Sequence, residues 1–214
     1  TYSGTNGVTD SAAGGTALAT GNKTKNGALG IKSDLTTRIN SIAALAKSEG
    51  KAVGVTTSVS VDHATPASFY AHVKDRNMYH QIGKDLIAAG FDFYAGSDFL
   101  QPENNELSGN KDLYTQCREA GYTIARGYAD YRKKADRTSI PYAIDRQKND
   151  LTLQDITRAA IHFLSQKDTD GFFLMVEGGK IDWACHSNDA ATAFKEVIDM
   201  DNAIKVAYEF YEQH

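Results

Sequence analysis

Apolar residues recur along this chain with two different spacings, and the segments that carry them alternate. Short β-branched or aromatic runs at Val53–Val59, Phe91–Gly96, Tyr122–Ala125 and Phe172–Val176 have the length and composition of buried strands. Tyr142–Ile144 is a further short strand candidate. Helical spacing lies between them. Ser11–Thr20 is stopped by Gly21, and Ile39–Ser48 carries apolar residues at 39, 42, 45 and 46 ahead of Gly50. Pro66 opens a helix expected to carry Tyr70, His72 and Arg76; Tyr79–Ala89 ends at Gly90 and Lys111–Ala120 at Gly121. Leu151–Gln166 has Thr152 as its cap and Ile156, Ala159, Ala160 and Phe163 facing inward. A last helix, capped by Asp189, turns Phe194, Val197, Ile198, Ala203, Ile204, Ala207 and Tyr211 inward. It reaches His214 without a Gly, Asn or Pro stop, which reads as a chain cut rather than finished. This alternation dictates an α/β fold over residues 1–214, a single three-layer α/β/α domain with a mainly parallel sheet. Some of its sheet edges should be exposed.

Composition narrows the function classes. At 214 residues, 41% apolar and 23% charged, the chain can bury a sizeable core. A formal charge of −4 and a sequence pI near 5.8 argue against a nucleic-acid surface, and Arg132-Lys133-Lys134 reads as a solvated helix face. The sequence holds no membrane-spanning run and no signal peptide. Cys117 and Cys185 are too far apart for a CxxC site, and spacing leaves their pairing open.

Chemistry concentrates in two stretches. The apolar run Phe172–Val176 ends abruptly in Glu177-Gly178-Gly179, and the carboxyl end of such a strand is where α/β sheets gather ligands. Asp182 and His186 follow at i and i+4, on one helical face. Two readings stand side by side here: a strand end with a solvated acidic loop, or oxygen and nitrogen donors for Zn²⁺ or a harder divalent ion. The other stretch is Thr9-Asp10-Ser11-Ala12-Ala13-Gly14-Gly15-Thr16-Ala17. Asp10 stands at an N-cap position, so Ser11 enters the first helical turn, where free N–H groups favour an anion. Simple capping is the alternative. Taken alone, Arg76 reads more readily as a surface residue than as a ligand-binding one. Cys185 reads as a core thiol, since a ligand next to His186 in sequence would point elsewhere.

Together these stretches resemble the alkaline phosphatase family. Val176-Glu-Gly-Gly-Lys-Ile-Asp182 with His186, Asn26-Gly-Ala-Leu-Gly30, and His63-Ala-Thr-Pro66 with Arg76 keep the family's order and spacing over nearly the whole chain. The resemblance implies metal-dependent hydrolysis of phosphate monoesters through a phosphoseryl intermediate on Ser11. It implies Arg76 as the phosphate clamp, and Asp10 as a residue that orients Arg76 or a backbone amide. It also implies Asp182 and His186 as two ligands of one of two Zn²⁺ sites, with Ser11 on the other. Thr65 and Glu177 would be ligands of a Mg²⁺-type site, and His63 and Trp183 would lie just behind the ligands. His63 stands where some members carry an acid, which leaves the identity of that third ion open. The remaining histidines, His72, His80, His162 and His214, read as structural or solvated.

The resemblance further implies inorganic phosphate as product, a homodimeric parent and a periplasmic or extracytoplasmic location. An early strand ending in a metal-bridging Asp, a later Asp-His pair and a further His have no counterpart here. The expectation is therefore an internal fragment, inactive by itself. The alternatives are a related phosphodiesterase or sulfatase-like hydrolase, or a non-catalytic α/β module with weak metal binding.

Overall fold

Every residue of β1 (Ala52–Ser60) is buried, and the remaining elements are arranged around it. The computed structural model describes residues 2–103, 111–126, 142–145, 151–167 and 170–214. The other strands are β2 (Phe93–Ser97), β3 (Thr123–Arg126), β4 (Tyr142–Asp145) and β5 (Phe172–Glu177). They form one sheet in the order β3-β4-β2-β1-β5, with every pairing parallel. The β-branched run thus becomes the centre of the sheet, as parallel strands covered on both faces require.

Alternate residues of β1 and β2 feed two different cores. Val53, Val55 and Tyr94 join Ile82, Leu86 and Leu113 on one face, whereas Ala52, Phe93 and Ala95 join Ile156, Leu164 and Ala203 on the other. This is the expected three-layer α/β/α arrangement. The helices are α1 (Ser11–Thr20), α2 (Ile42–Ser48), α3 (Ala64–Ala67), α4 (Tyr79–Ala89) and α5 (Leu113–Glu119). They are followed by α6 (Leu153–Lys167), α7 (Lys180–His186) and α8 (Ala190–Gln213). Thr152 and Asp155 cap α6 reciprocally: Asp155 N–H donates to Thr152 Oγ1 at 3.1 Å and Thr152 N–H to Asp155 Oδ2 at 3.1 Å. Ile156, Ala159, Ala160 and Phe163 are buried, as their spacing requires.

Four expectations need correction. The second helix starts at Ile42 with Ser41 as its cap, not at Ile39. Ile39 N–H instead donates to Gly30 O and Arg38 bridges Ile31, so the chain there is still closing a turn. The helix near Pro66 ends at Ala67, which leaves Tyr70, His72 and Arg76 outside it. Leu29 and Val73 exchange backbone hydrogen bonds at 2.9 and 3.1 Å, pulling the chain out of helical conformation. Cys185 is exposed and unpaired rather than a core thiol; Cys117 is buried and also free. The fourth correction concerns α8. Of its proposed inward face only Ala203 is buried, while Phe194, Val197, Ile198, Ile204 and Tyr211 are exposed. Ala203 and Val206 are the positions that α8 buries, on the side of the helix away from Phe194 and Ile198.

β5 pairs only with β1 among the described residues, and its outer edge and several of its apolar side chains are half-exposed. The basic run Arg132–Lys134 lies outside the described residues. Among the described residues no helix is long and apolar enough to cross a membrane.

Candidate active site

Ser11 is the first residue of α1, and the carboxylate of Asp10 builds the helix start around it. Asp10 Oδ1 accepts the Ala13 N–H at 2.9 Å, satisfying an amide that the helix itself cannot. Asp10 Oδ2 accepts the Gly27 N–H at 3.0 Å and faces Arg76 Nη1 at 3.4 Å. One side chain therefore joins the serine's helix, the Asn26-Gly27 turn and the guanidinium. Asn26 closes the loop by donating from Nδ2 to Val8 O at 2.9 Å. The run of small residues in α1 has its cause in packing: a Cβ on Gly15 would stand 2.5 Å from Ser68 Oγ and 3.4 Å from Thr65 Cα. Only a residue without a side chain lets α1 lie this close to the turn that carries Thr65.

The carboxyl end of β1 supplies the next groups. Asp62 is fully buried and its Oδ2 accepts the Leu100 N–H at 2.9 Å; burial raises its carboxyl to about 6, against the pull of those hydrogen bonds. His63 meets Arg76, with Nε2 at 3.4 Å from Nη2, and its ring stands edge-on to Trp183 at 5.6 Å. Desolvation, then the Arg76 charge, hold the imidazole below its usual value, with Asp182 pulling the other way.

β5 delivers Glu177 beside β1. The register Thr57↔Glu177 sets the two side by side, and the Thr57 hydroxyl donates to Glu177 Oε2 at 2.5 Å. Burial raises the Glu177 carboxyl, opposed by hydrogen bonds from Thr57 and Thr65. On α7, Asp182 and His186 share one face as their spacing required, with Oδ2 and Nε2 3.5 Å apart and both side chains largely exposed.

The structure thus gathers Asp10, Ser11, His63, Thr65, Arg76, Glu177, Asp182 and Trp183 at the carboxyl end of the sheet, and His186 at its margin. Thr57 was missed by the sequence reading. Its only signal is the pairing of β1 with β5, which a single chain of letters does not carry.

The fit to metal ions is uneven. Glu177 and Thr65 offer hard oxygens, and His63 Nδ1 is buried with no hydrogen-bond partner among the described residues. The two oxygen donors suit a Mg²⁺-type ion, whereas the imidazole nitrogen would suit Zn²⁺. Asp182 and His186 supply two donors, but among the described residues no three His, Cys, Asp or Glu side chains cluster closely enough to hold a metal. They do not complete a zinc centre, which needs at least three protein ligands.

Fold and site together define a class: an α/β/α domain with a serine-headed helix and an arginine over the carboxyl end of a parallel sheet. The family model for alkaline phosphatase matches residues 1–95 and 135–214, and the chain belongs to that family. It is 36% identical over 213 residues to alkaline phosphatase 4 of Bacillus subtilis (strain 168), covering 95% of this chain and 46% of that protein. The repressible alkaline phosphatase of Saccharomyces cerevisiae is 31% identical over 246 residues, covering 96% and 43%. The chain spans about half the length of these curated relatives. Among solved structures, alkaline phosphatase from the Antarctic bacterium TAB5 superposes with a TM-score of 0.86 at 34% identity, over 100% of this chain and 64% of that one. A histidine-to-aspartate variant of TAB5 alkaline phosphatase, with Mg bound in its M3 site, superposes with a TM-score of 0.87 at 33% identity, over 100% and 63%.

Proposed function

We propose that this chain is the nucleophile-bearing part of a phosphomonoesterase, in which Ser11 attacks phosphorus and Arg76 holds the phosphoryl oxygens. The observation that carries the reading is the Asp10–Arg76 contact, which ties the guanidinium to the start of the helix headed by Ser11. A terminal phosphate offers two oxygens to Arg76's planar fork, while the α1 N-terminus adds amides and a favourable dipole. Ser11 Oγ forms the new P–O bond as the ester alcohol departs with its electron pair and gains a proton. Water then attacks the phosphoseryl phosphorus, releasing inorganic phosphate and returning a proton to Ser11.

Thr65 and Glu177 would hold a Mg²⁺-type ion, and Asp182 and His186 would give two ligands to a Zn²⁺. When bound, these ions supply positive charge for an oxygen nucleophile and for the departing oxygen. Asp10 and His63 flank Arg76 on its two terminal nitrogens and set the direction in which the guanidinium meets phosphate. Trp183 borders this flank through its edge contact with His63.

The chain by itself is inactive on this reading, because the described residues do not close a zinc centre. Its family-length counterpart acts on monoesters, as a homodimer in an extracytoplasmic compartment. The test uses that longer protein with p-nitrophenyl phosphate and bis(p-nitrophenyl) phosphate. Ser11→Ala removes monoester turnover and covalent phosphate labelling with the melting temperature unchanged. Labelling of another residue, or preference for the diester, would overturn the reading. Robust turnover by the 214-residue chain would overturn its inactivity.

A further inference from the structure

Away from the candidate active site, α2 and α4 flank a cavity of about 410 Å³. Phe69, Tyr70 and Phe91 form its buried floor, Ala44 and Ala88 stand on its walls, and Arg38 is at its rim. A second hollow of about 460 Å³ shares Arg38 and His72 with the first and continues toward Lys74. None of the residues placed in the active site lines either one. Both volumes fall within the range of small-molecule sites, which are mostly apolar with a few fixed polar groups.

The charges around these hollows are unequally committed. Asp85 already accepts the His72 N–H and the Gln81 Nε2 donor, each at 2.8 Å. Lys47 is tied to Asp92 at 2.7 Å, and His72 Nδ1 lies 2.7 Å from Gly30 O. The Arg38 guanidinium and the Lys74 ammonium have no hydrogen-bond or ion-pair partner among the described residues. Asp85 keeps its charge with both oxygens taken by neutral donors, so the cation at the junction of the two hollows that is open to a ligand is Arg38.

We propose that this double cavity binds a small amphipathic carboxylate, an aryl or short acyl acid. Its apolar body lies between Ala44, Ala88 and Ala89 over the edges of Phe69, Tyr70 and Phe91, and its carboxylate takes the Arg38 fork. A bare inorganic anion would leave the aromatic floor unused, and a neutral apolar molecule would leave Arg38 unpaired. The floor also belongs to a fixed strap. Ser41 Oγ donates to Phe69 O at 2.5 Å and His72 N–H donates to Asp85, so the cavity is formed before any ligand arrives. A site built in advance loses little affinity to ordering.

The experiment titrates the ¹⁵N-labelled 214-residue chain with 4-phenylbutyrate and with its neutral counterpart 4-phenyl-1-butanol, followed by amide chemical shifts. The expected result is saturable shifts in α2, α4 and residues 68–72, with the alcohol about tenfold weaker, the worth of one charge-assisted hydrogen bond. Arg38→Gln brings the carboxylate down to the alcohol's level without changing the alcohol. Ala88→Trp, at an exposed wall position, fills the cavity and abolishes both. Shifts confined to the outer face of α8, equal binding of the two probes, or an Arg38→Gln chain that keeps its preference would each overturn the proposal.

Discussion

Arg76 Nη1 stands 3.4 Å from Asp10 Oδ2, two residues separated by 66 positions in the chain. Asp10 caps α1 and Arg76 lies on the strap beyond α3, so this contact joins the serine's helix to the guanidinium. Asp10→Ala should cost about 1–2 kcal/mol of stability, the worth of a lost N-cap, read from urea unfolding of the chain. Asp10→Asn keeps the acceptor for Ala13 N–H and costs less. In the family-length protein Asp10→Asn should raise KM for a phosphate monoester through loss of Arg76 alignment. Unchanged kinetics would show that Arg76 needs no such support.

Gly30 sits at φ +58°, and a Cβ there would lie 2.1 Å from Ala71 O and 2.9 Å from His72 Nδ1. Neither neighbour yields cheaply, because Gly30 N–H also donates to Thr16 Oγ1 at 3.1 Å inside the fold. Gly30→Ala should therefore destabilise the chain by roughly 3 kcal/mol or more. A thermal midpoint within a degree or two of the original would contradict the geometry.

Asp92 is buried between two ammonium groups, Lys47 at 2.7 Å and Lys167 at 2.8 Å, and accepts the Val53 N–H at 2.9 Å. Burial alone would raise its carboxyl, but these donors outweigh it and hold the group below its ordinary value. A depressed carboxyl contributes stability that is present above the unfolded value, about 4, and lost as pH falls through the folded one. Asp92→Asn should thus cost about 2 kcal/mol at pH 7, with the difference shrinking below about pH 4. Chemical unfolding at pH 7 and pH 3 checks both magnitude and sign; a gap that widens in acid would refute the assignment.

The outer stripe of α8 exposes Phe194 at 70%, Ile198 at 61% and Tyr211 at 78%, and the outer edge of β5 has no strand partner among the described residues. A contiguous apolar face of this kind favours association. The 214-residue chain should self-associate at micromolar concentrations in sedimentation velocity. Phe194→Lys combined with Ile198→Glu should disperse it, with stability changed by less than about 0.5 kcal/mol. If the double variant associates as strongly as the original, another surface is responsible.

The sequence by itself determined the class of fold and the identity of the elements. Strand runs such as Val53–Val59 are β-branched and short, helix stops such as Gly21 and Gly90 adopt left-handed backbone, and both signals are local. Around the candidate site, neighbouring letters gave only the cap at Asp10, the strand end at Glu177 and the i, i+4 pair of Asp182 and His186; the roles of Ser11, His63 and Arg76 came from resemblance to a family. Tertiary structure decided what depends on distant partners. Val73 pairing with Leu29 stopped the helix that Pro66 seemed to open. The pairing of β1 with β5 put Thr57 against Glu177. Most of all, α8 carries two apolar stripes, and periodicity cannot say which one is buried. Packing against α6 and α7 chose the stripe of Ala203 and Val206, because burial is a property of the whole arrangement and not of the helix that carries it.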